Sequence, residues 1–100
     1  MKKLLVNFNK AFESRVRLGI MSVLMVNESV DFNTLKELLN LSDGNLASHI
    51  RALEDVQYIT VNKQFIGKKP NTTYSASKEG KKAFNMHLKE LENLIRTQPK

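Results

Sequence analysis

Over most of the chain, apolar residues fall three or four positions apart, the spacing that gathers them on one face of a helix. Residues 2 to 27 begin this way. Leu4, Leu5 and Phe8 start a stripe that Ala11 and Phe12 continue. From Arg15 onward, Val16, Ile20, Val23 and Leu24 extend it, with Leu18, Met21 and Met25 alongside. Asn9 or Ser14 can cap a break, so the stretch reads either as a short helix followed by a longer one or as one bent helix. A stripe this wide predicts burial on more than one side. Asn27-Glu28-Ser29 ends it, and Ser29 to Phe32 reads as a short extended piece able to pair with a later hairpin.

Asn33 or Asp31 then starts a short helix, Thr34 to Asn40, with Leu35, Leu38 and Leu39 on its apolar face and Glu37 in its early turns. Leu41 to Gly44 is a turn, in which Ser42 or Asp43 can cap and Gly44 supplies flexibility. The helix that follows, Asn45 to about Val56, is the stretch around which the chain is organised. Leu46, Ile50 and Leu53 share one side of it, and Asn45, Ser48, Arg51 and Ala52 lie opposite. Three β-branched or aromatic stretches come next: Tyr58 to Val61, Phe65-Ile66, and Thr72 to Ser75. Gly67 to Asn71 separates the last two as a turn, with Pro70 suited to an edge or tip. Ser77 can cap a final helix reaching about Thr97, in which Gly80 is a poor helix former. Phe84, Leu88, Leu91 and Ile95, with Leu94 beside them, form a heptad-like seam. Such a seam packs on its own domain or meets a second copy; in so short a chain the second copy is the expectation.

The chain of 100 residues fits one domain. It divides into N-terminal helices over 1–28, a paired-helix unit over 33–56, a hairpin over 58–75 and a terminal helix over 77–97. There is no cysteine, which excludes disulfides and thiolate metal sites and fits a reducing compartment. The apolar run at the N-terminus stops at Asn7, short of a signal-peptide core, and no stretch approaches a membrane span. A cytoplasmic protein is expected. Lysine and arginine number sixteen against ten acids, a balance that favours polyanions. Between Lys63 and Lys82 there are six lysines and one acid, Glu79, so most of the excess follows the central helix.

Two short helices joined by about four residues, each greasy on one side, form a helix-turn-helix pattern. The open side of the second carries an amide, a small hydroxyl and a long cation, the groups that touch base edges in a major groove. A hairpin with a cationic tip directly after such a helix is a wing. Taken in order, these elements make the chain resemble the small winged helix-turn-helix transcriptional regulators of the MarR, ArsR and PadR groups. The resemblance runs from about Arg15 to Gly80. It rests on Arg17-Leu18-Gly19-Ile20-Met21, Phe32-Asn33-Thr34-Leu35-Lys36, Gly44-Asn45-Leu46-Ala47-Ser48-His49-Ile50, Leu53-Glu54 leading into Tyr58-Ile59, and Phe65-Ile66-Gly67-Lys68-Lys69-Pro70 with Thr73-Tyr74. It implies a mainly α fold with a small β-hairpin, a winged helix-turn-helix with a C-terminal dimerisation helix. Two positions depart from the pattern. Gln57 stands where these proteins usually have glycine, and Ala76-Ser77 where they have a leucine-threonine pair. Glutamine must take that turn without glycine's freedom at positive φ.

Asn45, Ser48, His49 and Arg51 are the candidate base contacts. An asparagine can pair with adenine and an arginine with guanine; the plainer role for these residues is an ordinary solvated helix face. His49 lies on the border of the two faces and either reaches DNA or packs at the helix edge. Asn33, Thr34, Lys63, Lys68, Lys69 and Asn71 are the candidate DNA backbone contacts, giving affinity rather than sequence choice. For Asn33 and Thr34, capping is equally expected. Lys78, Lys81 and Lys82 fit the solvated side of the last helix. The candidate dimer interface is Phe84, Leu88, Leu91, Leu94 and Ile95. Met21, Met25 and Met86 fill core or interface gaps. His87 and Glu90 are spaced for metal but lack a third ligand, so they read as surface residues beside the apolar seam, and no cofactor or metal is expected. No catalytic constellation is present. The function expected is a homodimeric, sequence-specific double-stranded DNA-binding regulator, with any small-molecule effector undetermined. The alternative is a winged-helix docking module for another protein, which the acidic Glu54 and Asp55 leave open.

Overall fold

The computed structural model describes residues 8–97, so the apolar positions Leu4 and Leu5 lie outside the described residues. A short 3-10 helix, Lys10–Phe12, precedes a separate helix α1, Arg15–Met25. Both residues proposed as caps serve as caps. Asn9 Oδ1 accepts the Ala11 N–H at 2.9 Å, and Ser14 Oγ accepts the Arg17 N–H at 3.3 Å. Each satisfies a donor that a helix start leaves free, so the chain breaks here instead of bending through.

Strand β1 is Val30–Asp31 and helix α2 is Phe32–Leu39. Helix α2 starts two residues earlier than the pattern predicts because Asp31, not Asn33, caps it; its carboxylate accepts the Thr34 N–H at 2.7 Å. Helix α3, Asp43–Asp55, also starts early, capped by Ser42 Oγ on the Asn45 N–H at 3.2 Å. Gly44 therefore lies inside α3 and is not the flexible turn residue. That part falls to Asn40, with φ 53°.

Helices α2 and α3 end alike. After α2, Leu41 N–H donates to the Lys36 carbonyl at 3.1 Å and Asn40 N–H to Glu37 at 3.3 Å. After α3, Tyr58 N–H donates to Leu53 and Gln57 N–H to Glu54, both at 2.9 Å. Such nested bonds around a left-handed residue make a Schellman ending. Gln57, at φ 64°, takes glycine's usual place, so the departure changes the residue and keeps the turn.

The three helices converge on Ile20, Met21, Leu24, Leu35, Leu46 and Leu53, all less than 2% exposed. Leu38 departs from its expected face and is 62% exposed. The short α2 meets the core along Leu35 and Leu39, and Leu38 falls to one side.

Strand β2, Ile59–Ile66, and strand β3, Lys69–Ala76, form the hairpin, and the sheet order is β1-β3-β2. The two β-rich pieces of the sequence are one strand. Asn62, Lys63 and Gln64 continue it by pairing with Thr73, Thr72 and Asn71. The expected five-residue turn contracts to Gly67-Lys68. Positive φ at Gly67 alone is the type II′ pattern, whose twist suits a hairpin. β1 pairs only with Thr73 and Tyr74, so Pro70 lies where the outer edge of β3 is open, a place that tolerates a missing N–H.

Helix α4, Lys78–Arg96, is capped by Ser77 Oγ on the Gly80 N–H at 2.9 Å. Ser77 also holds the end of the α3 turn: its N–H donates to the Tyr58 carbonyl at 3.0 Å and its Oγ to the Gln57 carbonyl at 2.6 Å. Gly80 is buried against this same Tyr58 backbone. Phe84 packs on Phe12 with ring centroids 5.7 Å apart. His87 is buried, not a surface residue as its position beside the seam suggested, because it packs edge-on between Phe8 and Phe12 at 5.4 and 5.2 Å. Beyond His87 no described residue of α4 is buried.

Candidate nucleic-acid interface

Leu46, Ile50 and Leu53 fix the rotation of α3 by filling the core. The opposite face is left bare, and Asn45, Ala47, Ser48 and Arg51 are all exposed along it. Ala47, Ser48 and Arg51 line a shallow depression of about 390 Å³. Ala52, expected on this side, is half-buried at the boundary between the faces. His49 also sits at the boundary. It is half-buried, and its Nδ1 accepts a hydrogen bond from Arg17 Nε at 3.2 Å. With Nδ1 an acceptor, a neutral ring carries its proton on Nε2. His49 is thus braced by α1 beside the open face, not free upon it.

A second cleft, of about 260 Å³, separates α3 from the wing. Phe32, Ile50, Val61 and Tyr74 form its apolar floor, and Arg51, Glu54, Lys63 and Thr72 line its rim, with Ala47 between. The hairpin register accounts for the grouping. Val61 faces Tyr74 and Lys63 faces Thr72, so these residues share one side of the sheet. Burial, and secondarily the Glu54 carboxylate, push the Tyr74 phenol above its ordinary pKa. It remains a neutral donor at any physiological pH.

The candidate backbone contacts fall into two groups. Lys63, Lys68 and Lys69 are exposed along the wing. No acidic residue occurs from Val56 to Lys78, so the charged side chains of the wing itself are all positive. Asn33 and Asn71 line a recess of about 300 Å³ between the start of α2 and the wing base. Thr34 is exposed nearby, but its N–H is taken by the Asp31 carboxylate. That cap places a negative charge where a bare helix start would attract an anion. The cap is supplied by Asp31, not by Asn33 or Thr34.

The seam of α4 divides. Phe84 is 7% exposed in the protomer's own core, which leaves little of it for a partner. Leu88 and Ile95 are 46% and 73% exposed, and Leu91 and Leu94 are half-buried. Among the described residues no cluster of metal-ligating side chains occurs and no helix is long and apolar enough to cross a membrane.

Sequence reading missed Arg17, Ala47, Thr72 and Tyr74. Thr72 and Tyr74 follow from the strand register once the turn is known to be Gly67-Lys68. Ala47 has no side-chain chemistry to mark it, and Arg17 reaches His49 across 32 positions of chain.

Comparisons agree with this geometry. The chain is 36% identical over 85 residues to an uncharacterized protein of Methanocaldococcus jannaschii, covering 85% of this chain and 92% of that one. The structure of a transcriptional regulator homologue from Pyrococcus horikoshii superposes with a TM-score of 0.83 at 29% identity, covering 95% of this chain and 92% of that one. Bacillus subtilis PadR, solved in complex with operator DNA, shares the fold with a TM-score of 0.58 at 18% identity, over 82% of this chain and 48% of that one. The winged helix DNA-binding domain family matches residues 16–95. With that match over most of the chain, and with helix, wing and terminal helix each in its place, the protein belongs to the winged helix DNA-binding domain family.

Proposed function

We propose that the protein is a homodimeric, sequence-specific regulator of transcription that binds double-stranded DNA in the cytoplasm. One observation carries this reading: the bare polar face of α3 lies beside a wing that bears lysines and no acids. In this reading α3 enters the major groove. Asn45 and Arg51 read base edges, each good bidentate pair giving about 1–3 kcal/mol of discrimination. Ser48 and the small Ala47 let the helix approach closely. The cleft between α3 and the wing takes the intervening sugar-phosphate strand, with Arg51, Lys63, Thr72 and the Tyr74 hydroxyl as its donors. Lys68 and Lys69 hold further phosphates and supply affinity.

The outer half of α4 supports dimerisation. Leu88, Leu91, Leu94 and Ile95 keep one side apolar where the protomer itself leaves it exposed or only half-covered. Pairing two such helices about a two-fold axis sets the α3 helices in successive major grooves, about 34 Å apart on an inverted repeat. The similar Pyrococcus horikoshii protein, a transcriptional regulator homologue, supports the regulatory part of the reading.

Gel shifts on random duplex DNA at rising salt, together with sedimentation, test it. The expected result is a dimer that binds weakly at low salt, with a log K against log salt slope that becomes shallower in Lys68→Ala/Lys69→Ala. No binding at low salt would favour the protein-docking role, and an unchanged slope would remove the wing contacts.

A further inference from the structure

α4 is held to its own protomer by its buried residues Gly80, Phe84 and His87, and His87 is the outermost of them. The Phe8 and Phe12 rings clamp it from the N-terminal segment. Its imidazole is 6% exposed, and its Nδ1 is buried with no hydrogen-bond partner among the described residues. Such an atom is rare in a folded core. The seat suits a neutral ring, which needs only one N–H; a protonated ring carries an N–H on both nitrogens. An Nδ1–H here would be buried without an acceptor. The phenyl faces attract a cation weakly and do not replace that acceptor. No countercharge faces the ring either. Among the described residues the ion pairs are Lys36–Asp43 and Glu92–Arg96. Glu90, one turn along α4, is half-buried and takes no part in an ion pair. On the N-terminal segment Lys10 and Glu13 are exposed, and no acid precedes Glu13 in the sequence. On α1, Arg15 is exposed and Arg17 is bound to His49. Tyr58, against Phe12, accepts the Asn9 amide N–H at 2.9 Å. β3 carries Tyr74, a neutral phenol, and Lys69, out at the wing tip.

We infer that His87 is a proton-operated latch: uptake of a proton at Nδ1 releases α4 from the Phe8–Phe12 segment and thereby weakens DNA binding. The second half of this inference rests on the DNA-binding reading above. The sign follows from where the proton fits. The closed latch takes the neutral ring, and the open one lets the charged ring reach water. The open form therefore binds more protons, and acid favours it. Histidine is the side chain whose ordinary titration falls between pH 5 and 8, so the latch works within the physiological range. Opening leaves the helix-turn-helix folded, because Ile20, Leu35, Leu46 and Leu53, its fully buried residues, belong to other elements. From Leu88 outward α4 is the proposed dimer seam, so the latch sits where each body joins the pairing helices. Once loose, it frees the two α3 helices from the fixed spacing by which one dimer holds two successive major grooves. The gain from simultaneous contact is then lost.

The chain has no tryptophan, so Phe8→Trp places a single indole on the latch. Acrylamide quenching reads whether the indole is covered, circular dichroism reads helix content, and anisotropy of a labelled random-sequence duplex reads binding. Each is measured at about pH 8 and about pH 5.5, on either side of the ordinary histidine titration. The expected result is an indole covered at the higher pH and open at the lower, with helix content unchanged. Wild-type affinity for the duplex should fall by roughly tenfold over the same interval. A protein that merely gained charge would hold DNA more tightly in acid, so the sign separates the latch from simple electrostatics. His87→Leu in the Phe8→Trp background fills the seat with an apolar group. It should keep the indole covered at both values and lose the fall in affinity. An indole equally covered at both values, one that opens together with loss of helix, or an opening that persists in His87→Leu would overturn the latch. So would duplex affinity that holds or rises in acid. Should His87→Leu fail to fold, the Phe8→Trp readings alone decide. An indole that opens in acid on a protein binding no duplex at any pH would uphold the proton-driven release and remove the DNA-binding reading instead.

Discussion

Replacing Gly80 by alanine sets two effects against each other. Helix propensity favours alanine by about 1 kcal/mol. The added Cβ, however, would meet the Tyr58 backbone, 2.8 Å from its carbonyl carbon and 3.0 Å from its Cα, and closer still to the carbonyl oxygen. That carbonyl cannot easily withdraw. It accepts the Ser77 N–H at 3.0 Å and lies between the left-handed Gln57 and the first residue of β2. Overpacking costs about 1–3 kcal/mol even when side chains can adjust, and backbone adjusts less, so the upper end applies. Subtracting the propensity gain leaves a net loss of about 2 kcal/mol, or about 8–16 °C in Tm for a domain of this size. Gly44→Ala is the control. Gly44 is also helical, but a Cβ there meets nothing within 4 Å, so a gain of about 0.5–1 kcal/mol is expected. Thermal and urea unfolding followed by circular dichroism, at one protein concentration because the stability of any oligomer depends on it, reads both. A Gly80→Ala protein melting at or above wild type would refute the close approach of α4 to the α3–β2 turn.

Three further outcomes follow from particular residues. The Thr34 backbone N–H, and secondarily its hydroxyl, hold the Asp31 carboxyl below its ordinary pKa. This stabilisation is full above the ordinary aspartate value of 3.8 and fades as pH falls through the lowered folded value. Asp31→Ala should cost about 1 kcal/mol at pH 7, and Asp31→Ser should keep the cap while flattening this acid limb in pH-dependent melts. Gln57→Gly, at a φ of 64°, should raise stability by about 0.5–1 kcal/mol, because glycine takes the left-handed region without strain; a loss in urea unfolding would contradict the turn geometry. Leu88→Glu/Ile95→Glu, both exposed in the protomer, should sediment as a folded monomer with weakened DNA binding, whereas an unchanged dimer would place the interface elsewhere.

The helix-turn-helix was legible because its burial is periodic. Leu46, Ile50 and Leu53 announce both the core side of α3 and its bare opposite. The caps were legible as residue types but not as positions: Asp31 and Ser42 each won over neighbours of similar chemistry, which moved two helix starts. The wing was harder. Most of β2 and the tip is exposed, so no alternation of burial marks it, and only the cross-strand ladder shows that Asn62 to Gln64 belong to a strand. The cleft lining was invisible for the same reason, since Tyr74 and Thr72 join it through register. Phe84 was misplaced because a heptad-like seam does not say where a protomer ends; Phe12, seventy-two positions earlier, claims it.

The central claim is that the open face of α3 reads bases. Selecting bound sequences from a random duplex pool, with wild type and with Arg51→Ala in parallel, tests it most directly. The account predicts an inverted repeat for wild type, and for Arg51→Ala the same repeat with one symmetric position per half-site relaxed, its affinity for unselected duplex falling much less. Identical selected sequences for the two proteins would contradict it.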